Sequence, residues 1–167
     1  MELAWEGNYL KVFSNDHYEF VHEADSVMML PRVNKEIVVR LEPCTPYQIK
    51  GENEHYWTPV CGTKEEGEHV FETLQREMGE ETPVYPNKIR LLREMKYMPY
   101  TKLTTQRVSF FAFDVLDYET TGAPGDGSDY EEKSRHALLE EEELHEVAEE
   151  ENADLGLRFC SEVLKNI

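Results

Sequence analysis

Cysteine is scarce: Cys44, Cys61 and Cys160 stand far apart, with no CxxC pair among them. That spacing excludes a disulfide framework, a cysteine zinc site and a dithiol redox couple, and leaves the thiols as small buried residues of a reducing cytosol. Long apolar runs are missing as well. Nothing approaches the ~18 residues of a membrane span, and the first 20 residues mix Glu, Asn, Asp and Lys into the apolar ones. The expectation is a cytoplasmic protein with no membrane partner. Positive charge is the third deficit, with 17 Lys and Arg against 35 Asp and Glu and a formal charge of −18. Such a surface repels a nucleic-acid backbone, so a polyanionic ligand must be met locally, by metal ions or a basic pocket. The 167 residues suit a single domain, residues 1–167, that can bury roughly two-thirds of its unfolded surface.

Short β-rich runs fill the first part of the chain, at residues 9–13, 17–22, 26–30 and 36–41, with turn signals at 6–8, 14–16 and 31–34. Residues 27–30 and 37–39 are nearly continuous apolar runs, which suits central strands buried on both faces. From Glu68 to Glu81 the period changes: Val70, Phe71, Leu74 and Met78 share one helical face, and Pro83 cannot continue the helix. A basic strand is expected over 88–97 and a strongly apolar one over 108–115. After a loop rich in Gly and Asp at 120–129, residues 138–167 carry an acidic helix and a second helix with Leu155, Leu157, Phe159, Cys160 and Leu164 as apolar positions.

Glu77, Glu80 and Glu81 gather on one side of the first helix at ~100° per residue. Glu81 points between Val70 and Leu74, at the edge of the apolar face, and a carboxylate there needs a partner. Like charges at i, i+4 cost a few tenths of a kcal/mol, and Arg76, one turn before Glu80, offsets only part of this. A solvated acidic face is the plain alternative for the cluster taken alone.

The spacing of Gly62, Glu68, Arg76, Glu77, Glu80 and Glu81 resembles the box of the Nudix hydrolases: Gly62-Thr-Lys-Glu-Glu-Gly-Glu68, then Arg76-Glu-Met-Gly-Glu-Glu-Thr-Pro-Val84. The one departure is Pro83, where that family has a Gly that ends the helix in a left-handed turn; Pro cannot adopt positive φ, so an altered turn is expected there. The resemblance implies an α/β fold, the Nudix α/β/α sandwich with a mixed β-sheet. It also implies Mg²⁺-dependent hydrolysis, with Mn²⁺ as the second candidate cation, of the pyrophosphate bond in a nucleoside diphosphate linked to another group. Hard cations with oxygen ligands neutralise such a polyanion and activate water. By the same resemblance Glu77, Glu81 and Glu80, with the Gly62 carbonyl and Glu68, hold the metal. Arg76 orients Glu68 or Glu77 by a charge-assisted pair.

Upstream, residues 18–31, 36–40 and 57–62 resemble the lead-in of the ADP-ribose pyrophosphatases, whose extra N-terminal strands build a homodimer; residues 1–22 are the corresponding segment here. Pro99 fits that subfamily, while Tyr100 fits the tyrosine of dinucleoside polyphosphate hydrolases. The loop at 125–132 occupies the place of a catalytic glutamate, which nominates Glu132 and then Glu131 as general base. Arg40, Thr58, Pro99 and Tyr100 are the substrate-binding candidates. Thr58 replaces a usual Glu, Pro43 a frequent second Arg, and 104–106 lacks a frequent acidic residue. ADP-ribose or a related nucleotide sugar therefore leads, with an NAD-like dinucleotide, a dinucleoside polyphosphate, a capped RNA end or a catalytically silent nucleotide sensor as alternatives.

A local reversal of charge bears on the choice: residues 88–107 hold six basic side chains, Lys88, Arg90, Arg93, Lys96, Lys102 and Arg107, against the single acid Glu94. The strip either holds phosphates or pairs with the acidic C-terminal helix. His145-Glu-Val-Ala-Glu149 ends in Glu and so falls short of a zinc HExxH, which leaves that histidine a structural role.

Overall fold

A computed structural model describes residues 2–7, 10–15, 17–43, 55–101, 103–121 and 133–167. Cys44, Lys102 and the loop at 122–132, with the nominated Glu131 and Glu132, lie outside them. The strands are β1 (Glu2–Glu6), β2 (Lys11–Asn15), β3 (Tyr18–His22), β4 (Ser26–Val33), β5 (Glu36–Pro43), β6 (His55–Thr63), β7 (Val84–Pro99), β8 (Arg107–Thr120) and β9 (Arg135–Leu139). The helices are α1 (Val70–Glu81), α2 (Glu141–Ala148) and α3 (Leu155–Leu164).

Strands β1, β2 and β3 make a small antiparallel sheet, and the other six form a mixed sheet in the order β7-β8-β4-β6-β5-β9. Its centre is the parallel pair β4 and β8, in register from Ser26 with Val108 to Val33 with Val115. The expected turn at 31–34 is shorter than its composition suggests. Pro31 pairs beside Phe113 within β4, and the turn contracts to Asn34 and Lys35, both at positive φ. Two successive positive-φ residues match the twist of the flanking strands, as in a two-residue hairpin. Beyond that turn β4 and β5 separate, and β6 enters between them, pairing Ser26–Met29 on one side and Val39–Pro43 on the other.

Both faces of the sheet are covered, which is why the apolar runs are continuous. Val27, Met29, Val38, Phe111 and Phe113 pack with Val70, Leu74 and Met78 of α1. Leu30, Ile37, Val39 and Phe110 pack on the opposite face with Leu144 of α2 and Leu157 and Cys160 of α3. Phe110, Phe111 and Phe113 are fully buried, and each such ring contributes about 2–3 kcal/mol. The α/β/α sandwich expected from the sequence is the fold observed.

Two helix boundaries differ from the sequence reading. Leu138 and Leu139 belong to β9, which pairs with Ile37 and Val38 at the open edge of β5, so α2 begins only at Glu141. Apolar alternation beside an acidic run reads as a helix start until a strand edge in need of hydrogen bonds is known. Helix α1 begins at Val70 and not at Glu68. His69 caps it, accepting from Phe71 N at 3.3 Å, while its own N–H donates to Glu72 Oε2 at 2.7 Å. In α3 Leu157 and Cys160 are buried, but Leu155 is 81% exposed and Phe159 half-exposed.

Candidate active site

Excluding Glu68 from α1 lets it face back onto the helix. Its Oε2 accepts from Glu65 N at 3.0 Å and from the Thr73 hydroxyl at 2.8 Å. Arg76 is the centre of the network. Its Nε donates to Glu68 Oε1 at 3.0 Å and its Nη2 to Glu68 Oε2 at 3.1 Å, a bidentate pair. Nη1 donates to Glu77 Oε1 at 2.8 Å and Glu80 Oε2 at 2.9 Å, and Nη2 also reaches the Thr63 carbonyl at 2.9 Å. The sequence offered Arg76 as a partner for Glu68 or Glu77; the structure gives it both, and Glu80 besides.

Burial and charge set these carboxylates apart. The Arg76 hydrogen bond, outweighing the cost of burial, holds Glu68 down to about 2, with the Glu65 N–H and Thr73 adding to it. Glu77 is pushed up to about 7 because burial outweighs the attraction of Arg76, and Glu80 and Glu68 add repulsion. The hydrogen bond to Glu68 raises Arg76 above its ordinary value against its own burial. Gly62 lies where Glu77 crosses β6: a Cβ built there would overlap Cγ and Cδ of Glu77. The glycine is needed for space.

Glu81 finds its partner outside the helix. The buried Arg40 of β5 ion-pairs with it through Nη1, and Nε of Arg40 stands 3.2 Å from Glu42 Oε1. Nothing local to the helix signals this pair. Beside it opens a cavity of about 400 Å³ whose lining includes Arg40, Gly62, Glu81, Tyr100, Gln106 and Asp154. Arg40 and Tyr100 of the substrate-binding candidates thus come together. Pro99 lies in an adjoining apolar recess with Met98, Leu155 and Phe159. Thr58 is buried and does not line the cavity; its hydroxyl donates to the Pro59 carbonyl at 3.2 Å and stands by Cys61 and Asp154.

Asp154 escaped the sequence reading. It caps α3, accepting from Leu157 N at 2.6 Å, and burial lifts its carboxyl above the usual range. Its signal was only an Asp two residues after an Asn, before an apolar run. Tyr100 is raised by burial and by nearby Asp154, Cys61 and Glu23. Cys160 is buried as expected, whereas Cys61 lies on the cavity wall, its thiol pushed up by burial and by Asp154 and Glu42.

The altered turn after α1 is observed. Thr82 is extended at φ −139°, and its hydroxyl donates to the Met78 carbonyl at 2.6 Å. Val84 N in turn donates to that hydroxyl at 3.2 Å. A threonine side chain therefore does the capping that a left-handed glycine would otherwise do.

The NUDIX domain model matches residues 22–157, a span that carries the whole Arg76 network and the cavity wall. The chain belongs to the NUDIX domain family. Among solved structures it is similar to one titled as the crystal structure of an ADP compounds hydrolase, with TM-score 0.63 and 18% identity over 99% of this chain and 91% of that one. That likeness is one of fold. No curated protein sequence matches. Box, family and fold agree on a Nudix hydrolase.

The Nudix donor set fits a hard divalent cation. Carboxylates outnumber guanidiniums around Gly62, since Glu68, Glu77, Glu80, Glu81 and Glu42 share Arg40 and Arg76. Among the described residues no three His, Cys, Asp or Glu side chains converge as an ion site, because Glu77 and Glu80 turn to Arg76 and Glu81 turns to Arg40. A divalent cation held there would compete with those arginines for the same oxygens, and would supply charge neutralisation and an activated water.

Among the described residues, no ion pair joins the basic strip to the acidic C-terminal helix. Arg90 ion-pairs with Asp114 of β8, and Lys96 Nζ stands 2.8 Å from Glu94 Oε1 on its own strand. Strand β7 lies at the opposite edge of the sheet from β9. His145 is structural: its Nδ1 lies 2.6 Å from the Ser161 hydroxyl and ties α2 to α3.

Proposed function

We propose that this Nudix hydrolase is a Mg²⁺-dependent pyrophosphohydrolase, with Mn²⁺ able to substitute, acting on ADP-ribose or a related nucleotide sugar and releasing a nucleoside monophosphate. The observation that carries the reading is Arg76 gripping Glu68, Glu77 and Glu80 at 2.8–3.1 Å, with Glu77 passing over a Gly62 that leaves it room. A sensor that only binds nucleotide has no use for so complete a set of charge-assisted bonds. In this reading Glu77, Glu81 and Glu80, with the Gly62 carbonyl, hold the metal, and Arg76 and Glu68 fix the carboxylates' geometry. Arg40 neutralises a phosphate once Glu81 turns to the metal, and Tyr100 bounds the leaving group. Glu132, and after it Glu131, is the proposed general base.

The upstream resemblance and the fold shared with an ADP compounds hydrolase support the choice of substrate. Exposed Leu3, Trp5 and Tyr18 on the small sheet support a homodimer through residues 1–22, and the free thiols Cys61 and Cys160 suit a reducing cytoplasm. Product release is to be measured from ADP-ribose, NADH, dinucleoside polyphosphates, nucleotide sugars and capped RNA, with and without Mg²⁺. Metal-dependent release of a nucleoside monophosphate from ADP-ribose or a nucleotide sugar is expected; silence across the panel with nucleotide still bound would overturn hydrolysis.

A further inference from the structure

The family match begins at His22, so β1, β2 and nearly all of β3 lie outside it. No residue of that small sheet lines the cavity. Yet β3 joins the main body at one functionally placed segment, the turn between β7 and β8. Val21 bridges Thr104 in parallel; Val21 N donates to the Leu103 carbonyl at 2.8 Å, and Thr105 N donates to the Val21 carbonyl at 2.9 Å. Side chains repeat the connection. The Thr104 hydroxyl donates to Glu23 Oε2 at 2.6 Å, and His22 Nδ1 lies 2.7 Å from the Thr105 hydroxyl. Asp25 fastens both sides of the cavity mouth, its carboxylate accepting from Arg107 N at 3.0 Å and its carbonyl from Lys64 N at 2.8 Å.

The same turn carries the cavity wall that faces the carboxylates. Tyr100 and Gln106 both line the cavity, and Tyr100 N donates to the Gln106 carbonyl at 3.2 Å. Gln106 N in turn donates to the Thr104 hydroxyl at 3.1 Å. One hydroxyl thus connects Glu23, at the exit of the small sheet, to the residues that line the cavity. Without β3 the turn would be an exposed edge connection with few buried contacts, the kind of segment that opens locally at low cost.

We propose that the small N-terminal sheet is a positioning element for substrate selection: through Val21, Glu23 and Thr104 it holds Tyr100 and Gln106 against the nucleoside diphosphate derivative. Thr104 and Glu23 are positioning residues in this scheme, because they touch no substrate and act through Tyr100 and Gln106. The ligand's identity rests on the functional reading above; the clamp itself does not.

The test compares Thr104→Val, Thr104→Ser, Tyr100→Ala and the Thr104→Val/Tyr100→Ala double variant in the full chain. The readouts are kcat and KM for the compound the wild type cleaves best, and amide deuterium exchange of residues 99–107. Thr104→Val is expected to raise KM about fivefold with kcat within about twofold, because the chemical groups are untouched and only their binding partner loosens. Exchange in 99–107 should quicken by about threefold, and Thr104→Ser should restore both. In the Tyr100→Ala background the same change should move KM by less than about twofold, since the residue through which it acts is gone. A KM effect of undiminished size in that background, a fall in kcat with KM unchanged, or unaltered exchange would overturn the proposal. A wild type that cleaves nothing would overturn the functional reading alone, and the exchange comparison would still decide the clamp.

Discussion

Gly62→Ala tests whether the site is assembled by close approach. The backbone at Gly62 needs no left-handed conformation, so alanine is conformationally acceptable and the effect must come from space. A methyl there overlaps Cγ and Cδ of Glu77, and the carboxylate must retreat by about 1.5 Å to regain van der Waals contact. That retreat breaks the 2.8 Å bond to Arg76 Nη1. Glu77 is nearly buried, so losing this charge-assisted bond should cost about 2 kcal/mol and lower Tm by about 4–8 °C for a chain of this size. Displacement by that distance of a carboxylate proposed to hold the metal should cost about 10²-fold in turnover.

Gly67→Ala is the control. It has open space around it but sits at φ +81°, so alanine should cost about 1 kcal/mol in backbone strain and leave turnover within a few-fold. Calorimetric melting and Mg²⁺-dependent turnover of both variants decide the matter. Turnover within about fivefold of wild type in Gly62→Ala would refute the reasoning.

Glu81→Gln should abolish turnover while leaving the circular dichroism and the cooperative melt in place; wild-type turnover would remove Glu81 from the metal site. Asp114 is held below the usual carboxylate range because hydrogen bonds from Arg32 and Arg90 outweigh its burial. A depressed carboxyl contributes stability that is complete above its unfolded value, near ~3.9, and lost as pH falls through the folded one. Asp114→Asn should therefore cost about 2 kcal/mol at pH 7 and flatten the loss of stability on acidification, which denaturant titrations between pH 7 and 3 will show. Thr82→Val removes the hydroxyl that caps Met78 and should cost about 1 kcal/mol with no change in KM; an unchanged Tm would mean that Pro83 alone ends the helix.

Legibility in the sequence followed the range of the interactions. The apolar face of α1 and the buried runs of β4, β5 and β8 are local patterns, and the structure repeats them almost position for position. The Arg76 partners Glu77 and Glu80 lie within one turn of helix and Glu68 just before it; helical spacing offered Glu80, and the resemblance to the Nudix box offered Glu68 or Glu77. Arg40 with Glu81 joins β5 to the end of α1, and Asp154 reaches the cavity from a helix cap. Neither has a sequence-local sign, because strand order in the sheet decides which side chains meet. β9 was misread for the same reason: Leu138 and Leu139 take their conformation from the open edge of β5. Pro31, read as part of a turn, sits inside β4, while Pro83 ends α1 as expected, with Thr82 capping it.

The parallel pairing of β4 with β8 has a consequence for how the molecule forms. Arg32 and Asp114, partners in that pairing, are 82 residues apart in the chain, with β5, β6, α1 and β7 in between. Closing so long a loop loses entropy before any contact returns it, which makes this pairing the slow event of folding. Gly62 reaches its place by pairing with Val27 of β4, and Tyr100 and Gln106 reach theirs only when β8 is laid down. The carboxylate wall can therefore form with the β4–β6 pairing, and the cavity gains its second wall only when β8 is added. A newly made chain would hold the carboxylate wall first and enclose a ligand only after the 82-residue loop has closed.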